Sequence, residues 1–240
     1  MDIDGLYINY EQLGEGPDVV LLHGWGQNID MMKPIANNMD GYKFTILDFP
    51  GFGKSDEPKE PWDVEKYTVL LEKLLKELKI KNPIIVGHSF GGRVAINYSS
   101  RNKVSKVVLF GSPCIRYDSD INHKKEEFYH KLKQLPGMNK IAEFAKKFIG
   151  SEDYRKASPI MRESLVNVIN SDLSKEASMI DAPVLLIWGT NDEAEPVERA
   201  RDLEKLLKDG ALIELEGLSH YAYLEALPRV VNILNNFFGG

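Results

Sequence analysis

Ser89, Asp192 and His220 each lie just beyond a short apolar run, in that chain order, and together they are the side chains of a nucleophilic attack on a carbonyl carbon. A serine hydroxyl is a poor nucleophile at neutral pH. It needs a base within hydrogen-bond reach and a third group that keeps the base in the right tautomer. Ser89 stands in Gly87-His88-Ser89-Phe90-Gly91, a Gly-x-Ser-x-Gly directly after Ile84-Ile85-Val86. In a sharp strand-to-helix turn this spacing lifts the hydroxyl clear of the sheet, and small residues two before and two after let the backbone close around it. Alone the pattern is weak, because Gly and Ser also dominate ordinary turns.

The chain holds five histidines. His123 and His130 fall in a charged helical stretch, His88 is locked beside the serine and His23 ends an early strand, whereas His220 follows the last strand and is the expected base. The orienting acid is expected at Asp192, four residues beyond Trp188 at the end of another apolar run. Glu193 and Glu195 are rivals, for which a solvated loop or an acid suited to a helix N-terminus is the plainer account. Charge developing on the substrate oxygen calls for pre-aimed backbone donors. The Phe90 N–H is one, and the Trp25 N–H, between Gly24 and Gly26, is the other; the Trp25 ring stays free to pack or to line a pocket.

These residues need a scaffold that brings strand ends to one edge. Val19–Leu22, Phe44–Leu47, Ile84–Val86, Lys106–Phe110, Pro183–Trp188 and Ala211–Leu215 read as strands, most of them continuously apolar as in a parallel sheet covered on both faces. Leu6–Tyr10 alternates and reads as an N-terminal strand. Between them come helical patterns: Met31, Ile35 and Met39; a stripe of Val64, Tyr67, Leu71, Leu74, Leu75 and Leu78 capped by Asp63; Val197, Ala200, Leu203 and Leu207 after Pro196; and Val230–Phe238. Alternation of this kind implies parallel crossovers.

From about Pro113 to Met179 the alternation stops. Stripes of Phe128, Leu132 and Leu135, of Ile141, Phe144, Ala145 and Phe148, and of Met161, Leu165 and Val168 predict helices inserted over the sheet's C-terminal edge. Their apolar residues fit an apolar acyl or alcohol group and equally fit packing of the insertion onto the sheet.

Composition sets the outer bounds. With 240 residues, 43% hydrophobic and 28% charged, the chain reads as an ordinary globular protein, and a net charge of −6 disfavours nucleic acid as a partner. The one cysteine, Cys114, forms no internal disulfide and is expected to be a buried core residue. No basic-then-apolar leader opens the chain, and no apolar run approaches the roughly 18 residues of a membrane span, so a cytoplasmic protein is expected.

His23-Gly24-Trp25-Gly26, Asp48-Phe49-Pro50-Gly51-Phe52-Gly53-Lys54-Ser55, Gly87-His88-Ser89-Phe90-Gly91-Gly92 and Gly189-x-x-Asp192-x-x-x-Pro196 together resemble the α/β-hydrolase superfamily over the whole chain. The His-Gly-Trp-Gly segment and the compact size are most similar to small bacterial carboxylesterases, including the pimeloyl-carrier-protein methyl ester esterases. The resemblance implies an α/β fold with a mostly parallel twisted sheet and helices on both faces, residues 1–112 and 179–240 as core and 113–178 as cap. It implies a Ser89–His220–Asp192 serine esterase with a Trp25–Phe90 oxyanion hole, a small-molecule ester substrate, and neither metal nor organic cofactor. Dehalogenases of this fold carry an aspartate where Ser89 stands, which removes halide displacement. The same residues would serve a thioester, a lactone, a carbon–carbon bond beside a ketone or a peracid, and a non-catalytic binding module is the remaining alternative.

Overall fold

The computed structural model describes residues 1–117 and 157–239. His123, His130 and the helical stripes expected at 128–135 and 141–148 lie outside the described residues.

Strands β3 (Tyr10–Leu13), β4 (Asp18–Leu22), β5 (Lys43–Leu47), β6 (Ile84–His88), β7 (Lys106–Phe110), β8 (Val184–Gly189) and β9 (Gly210–Leu215) form one seven-stranded sheet in the order β3-β5-β4-β6-β7-β8-β9. Only the edge pair β3–β5 is antiparallel. The continuous apolar runs of β4 and β6 are buried along nearly their whole length because helices cover both faces. Successive side chains point to opposite faces, so each run feeds two cores. Val20, Leu22, Ile85, Val107 and Leu109 join one, while Val19, Leu21, Ile84, Val86 and Val108 join the other.

On the first face lie α2 (Val64–Glu77), α3 (Phe90–Ser99) and α6 (Val197–Leu206), through residues such as Leu71, Val94 and Leu203, and α4 (Pro159–Ile169) and α5 (Ser174–Met179) join the same core through Leu165 and Ala177. The second face is covered by α1 (Ile29–Ala36), through Met32 and Ile35, and by α8 (Leu227–Gly239), through Val230 and Leu234; the short α7 (Ala222–Glu225) precedes α8. The expected α2 cap is present: the Asp63 carboxylate accepts from the Lys66 N–H at 2.9 Å. Ser158 caps α4 likewise, and the stripe Met161, Leu165 and Val168 is buried.

Two local expectations are corrected. Leu6–Tyr10 is not one strand: β1 (Asp2–Ile3) and β2 (Leu6–Tyr7) form a hairpin, and the edge strand begins at Tyr10. Asp56 and Ser55 take the backbone N–H groups of Tyr7 and Asn9, so the segment pairs with the 48–56 loop instead of continuing the sheet. In α1 the buried stripe runs through Met32, not Met31, because Asn28 caps the helix and Ile29 sets its inner face.

Candidate active site

Ser89 leaves β6 and caps α3 at φ 51° and ψ −113°. A side chain in that backbone region costs about 1–3 kcal/mol and persists only where the surroundings enforce it. Here its N–H donates to the Phe110 carbonyl at 2.9 Å, and its own carbonyl accepts from Gly92 at 3.0 Å and Arg93 at 3.3 Å. The flanking glycines are required by close approach. A Cβ on Gly87 would lie 2.6 Å from the Gly91 carbonyl oxygen, and one on Gly91 would lie 2.7 Å from the His23 carbonyl oxygen.

His220 lies beyond β9, and its Nδ1 is 2.7 Å from Asp192 Oδ2. A carboxylate can only accept, so Nδ1 carries the proton and Nε2 of the neutral ring keeps its lone pair. The other carboxylate oxygen, Oδ1, accepts from the Ala194 N–H at 2.9 Å and the Glu195 N–H at 2.8 Å. The Asp192 side chain is fully buried, and these three donors leave it one orientation. Both groups sit over the end of β7: a Cβ on Gly111 would lie 2.9 Å from His220 Nδ1 and 3.1 Å from Asp192 Oδ2. Gly111 follows Phe110, the partner of the Ser89 N–H, so base, acid and elbow meet at one edge of the sheet.

Of the rival acids, Glu193 is exposed. Of the two plainer accounts of Glu195, the solvated loop does not hold, while its place just before α6 fits the helix N-terminal acid. The residue is buried, its backbone N–H serves Asp192, and its carboxylate lies 3.5 Å from Arg199. Burial pushes its carboxyl up to about 7, against the pull of Arg199 and Arg93.

Trp25 and Phe90 stand on either side of the elbow: their rings meet edge-to-face at 5.2 Å, and the Trp25 ring meets Phe52 at 4.9 Å. Neither backbone N–H donates to another group among the described residues. The residues that hold this loop were assigned no part by sequence reasoning. His23 donates from Nδ1 to the Gly24 carbonyl at 2.7 Å and accepts the Phe49 N–H at Nε2, 3.0 Å away. Burial lowers its pKa to about 4, so the neutral ring keeps both bonds. Asp48 accepts from the Ile29 N–H, the Lys54 N–H and the Asn9 amide at 2.7–2.8 Å, joining the loops after β4 and β5. Their signal was position, since each directly ends a strand on this edge.

Cys114 is a core residue as expected, its thiol pushed up to about 12 by burial. Among the described residues no group of three His, Cys, Asp or Glu could hold a metal ion, and no helix is long and apolar enough to cross a membrane.

Residues 17–131 match the profile of the alpha/beta hydrolase fold family. The chain is 26% identical to the AB hydrolase superfamily protein YisY of Bacillus subtilis, over 95% of this chain and 93% of that one. It is 28% identical to the pimeloyl-[acyl-carrier protein] methyl ester esterase of Nitrosospira multiformis, over 91% and 92% of the two chains. Among solved structures, an esterase from Exiguobacterium antarcticum superposes with a TM-score of 0.80 over 99% of this chain and 97% of that one, at 23% identity.

Proposed function

We propose that this chain, whose fold is that of the α/β hydrolases, is a serine hydrolase that cleaves a small carboxylic ester through an acyl-enzyme. The observation that carries the reading is the 2.7 Å hydrogen bond from His220 Nδ1 to buried Asp192, at the sheet edge where Ser89 is held in its elbow. With Nδ1 committed to Asp192, Nε2 takes the Ser89 hydroxyl proton as Oγ attacks the ester carbonyl carbon. The oxygen that gains charge accepts from the Trp25 and Phe90 N–H groups, and Asp192 balances the imidazolium. Collapse breaks the carbon–oxygen bond, and His220 returns the proton to the departing alcohol. Water then repeats the attack on the acyl-enzyme, releasing the carboxylic acid and restoring Ser89. No step calls for a metal or an organic cofactor.

Residues 113–178 act in this reading as a cap inserted in the core of 1–112 and 179–240. Support for a covering role comes from α4, whose Met161 packs against the Gly51 turn beside Phe52. The likeness to a methyl ester esterase supports an ester; a thioester, a lactone, a carbon–carbon bond or a peracid is the alternative for the same residues, and a cytoplasmic location is part of the proposal.

Ser89→Ala should lower turnover of p-nitrophenyl acetate and butyrate by at least about a thousandfold with the circular dichroism spectrum unchanged. A fluorophosphonate probe should label the wild type at Ser89. Undiminished turnover in the variant overturns the assignment.

A further inference from the structure

His88 precedes Ser89 and ends β6, yet it has no part in the reaction drawn above. It is fully buried. Its Nε2 lies 3.1 Å from the backbone carbonyl oxygen of His220. Its Nδ1 lies 3.3 Å from Oε1 of Gln27, an oxygen that also accepts the Gly24 N–H at 3.1 Å. The Gln27 amide nitrogen in turn reaches the Tyr221 hydroxyl at 3.4 Å. The His88 ring centroid is 4.8 Å from those of His220 and Tyr223 and 5.4 Å from that of Tyr221. One ring thus joins the elbow, the Trp25 loop and the loop that bears the proposed base.

A neutral imidazole offers one N–H and one lone pair, and here each nitrogen faces an oxygen. Both oxygens can only accept, so the single proton goes to the shorter contact, at Nε2. A second proton would suit both oxygens. Burial, and after it the neighbouring His220, instead hold the His88 pKa well below 6.5 and keep the ring neutral. The carbonyl that receives this proton belongs to His220 itself. That carbonyl is bonded to the Cα that bears the imidazole, so holding it restrains the backbone from which the ring is aimed, whereas the Asp192 contact alone leaves the ring free to pivot about Nδ1.

We infer that His88 is a positioning residue for the proposed hydrolysis: its Nε2–H, donated to the His220 carbonyl, fixes the base relative to Ser89 and the Trp25 loop. The inference rests on the serine-hydrolase reading. A base that is misplaced slows the chemical step and leaves binding of a small ester alone.

The test is steady-state hydrolysis of p-nitrophenyl acetate by wild type, Ser89→Ala, His88→Phe and His88→Gln, with thermal melting alongside. Phenylalanine keeps the ring and loses the donor, whereas the glutamine amide nitrogen occupies the place of Nε2. His88→Phe should lower kcat by about tenfold to a hundredfold with KM changed less than about threefold, and His88→Gln should recover most of that loss. Wild-type kcat in a folded His88→Phe, a loss confined to KM, or equal losses in both variants overturns the inference. If either variant fails to fold, long-range 1H–15N spectra of the wild type decide it. A neutral Nε2–H ring at His88 supports the inference, and an Nδ1–H tautomer or an imidazolium overturns it. An inactive wild type, or a Ser89→Ala that retains activity, overturns the serine-hydrolase reading and this inference with it. Loss in Ser89→Ala without loss in His88→Phe overturns the inference alone.

Discussion

Glu195 shares a loop with Asp192, and the two acids meet burial differently. Asp192 is held by three donors, while the Glu195 carboxylate has Arg199 at 3.5 Å and is pushed up to about 7 by burial. Between the ordinary carboxylate value of 4.5 and about 7 the folded chain keeps a proton that the unfolded chain has lost. The stability this contributes is complete below about 4.5 and is lost as pH rises through about 7. Glutamine, neutral at every pH, has no such dependence. Glu195→Gln should therefore gain about 2–3 kcal/mol on the wild type between pH 5 and pH 8. Urea unfolding of both proteins at the two pH values measures it, and a difference that does not change with pH would show that Glu195 is ionised throughout.

At the scale of elements, α2 shows how local chemistry starts a helix and tertiary contact places it. Asp63 accepts the Lys66 N–H, and behind that cap Val64, Tyr67, Leu71, Leu74 and Leu75 form the buried face. The cap is exposed, so Asp63→Ala should cost about 1 kcal/mol of unfolding free energy, read from the urea midpoint. A midpoint equal to that of the wild type would mean the helix start is set by packing alone. The same distinction separates α1 and β2 from their expected forms. In α1 the cap at Asn28 rotates the buried face by one residue onto Met32, and in β2 the Asp56 and Ser55 side chains intercept the backbone donors.

At the scale of the whole molecule, two of the histidines among the described residues, His23 and His88, are buried and held neutral at the sheet edge where Ser89 and His220 meet. Unfolding lets them take protons at their ordinary value of 6.5, whereas folded His23 does so only near 4. The His23 contribution is complete above about 6.5 and lost as pH falls toward 4, and that of His88 is lost in the same direction. His23 alone should remove about 2 kcal/mol at pH 5 relative to pH 7. The measurement belongs in the Glu195→Gln background, from which the opposing Glu195 titration is removed; an equal urea midpoint at both pH values there would sink the assignment of neutral, buried rings. The order of the strands from β4 onward, the cap of α2, the start of α6 after Pro196, and the place of the Ser89 elbow between strand and helix were all legible in the sequence. Their signals are apolar periodicity, turn residues and caps, which act between residues a few positions apart. Tertiary structure alone decided which oxygen holds His220, that Glu195 is buried while Glu193 is not, and that His88 reaches the His220 carbonyl. The partners in those contacts stand 28 and 132 positions apart, and nothing local encodes them. They exist because a parallel sheet delivers the loops after β4, β6, β7, β8 and β9 to the same edge, where the buried Asp192 and His88 find their partners.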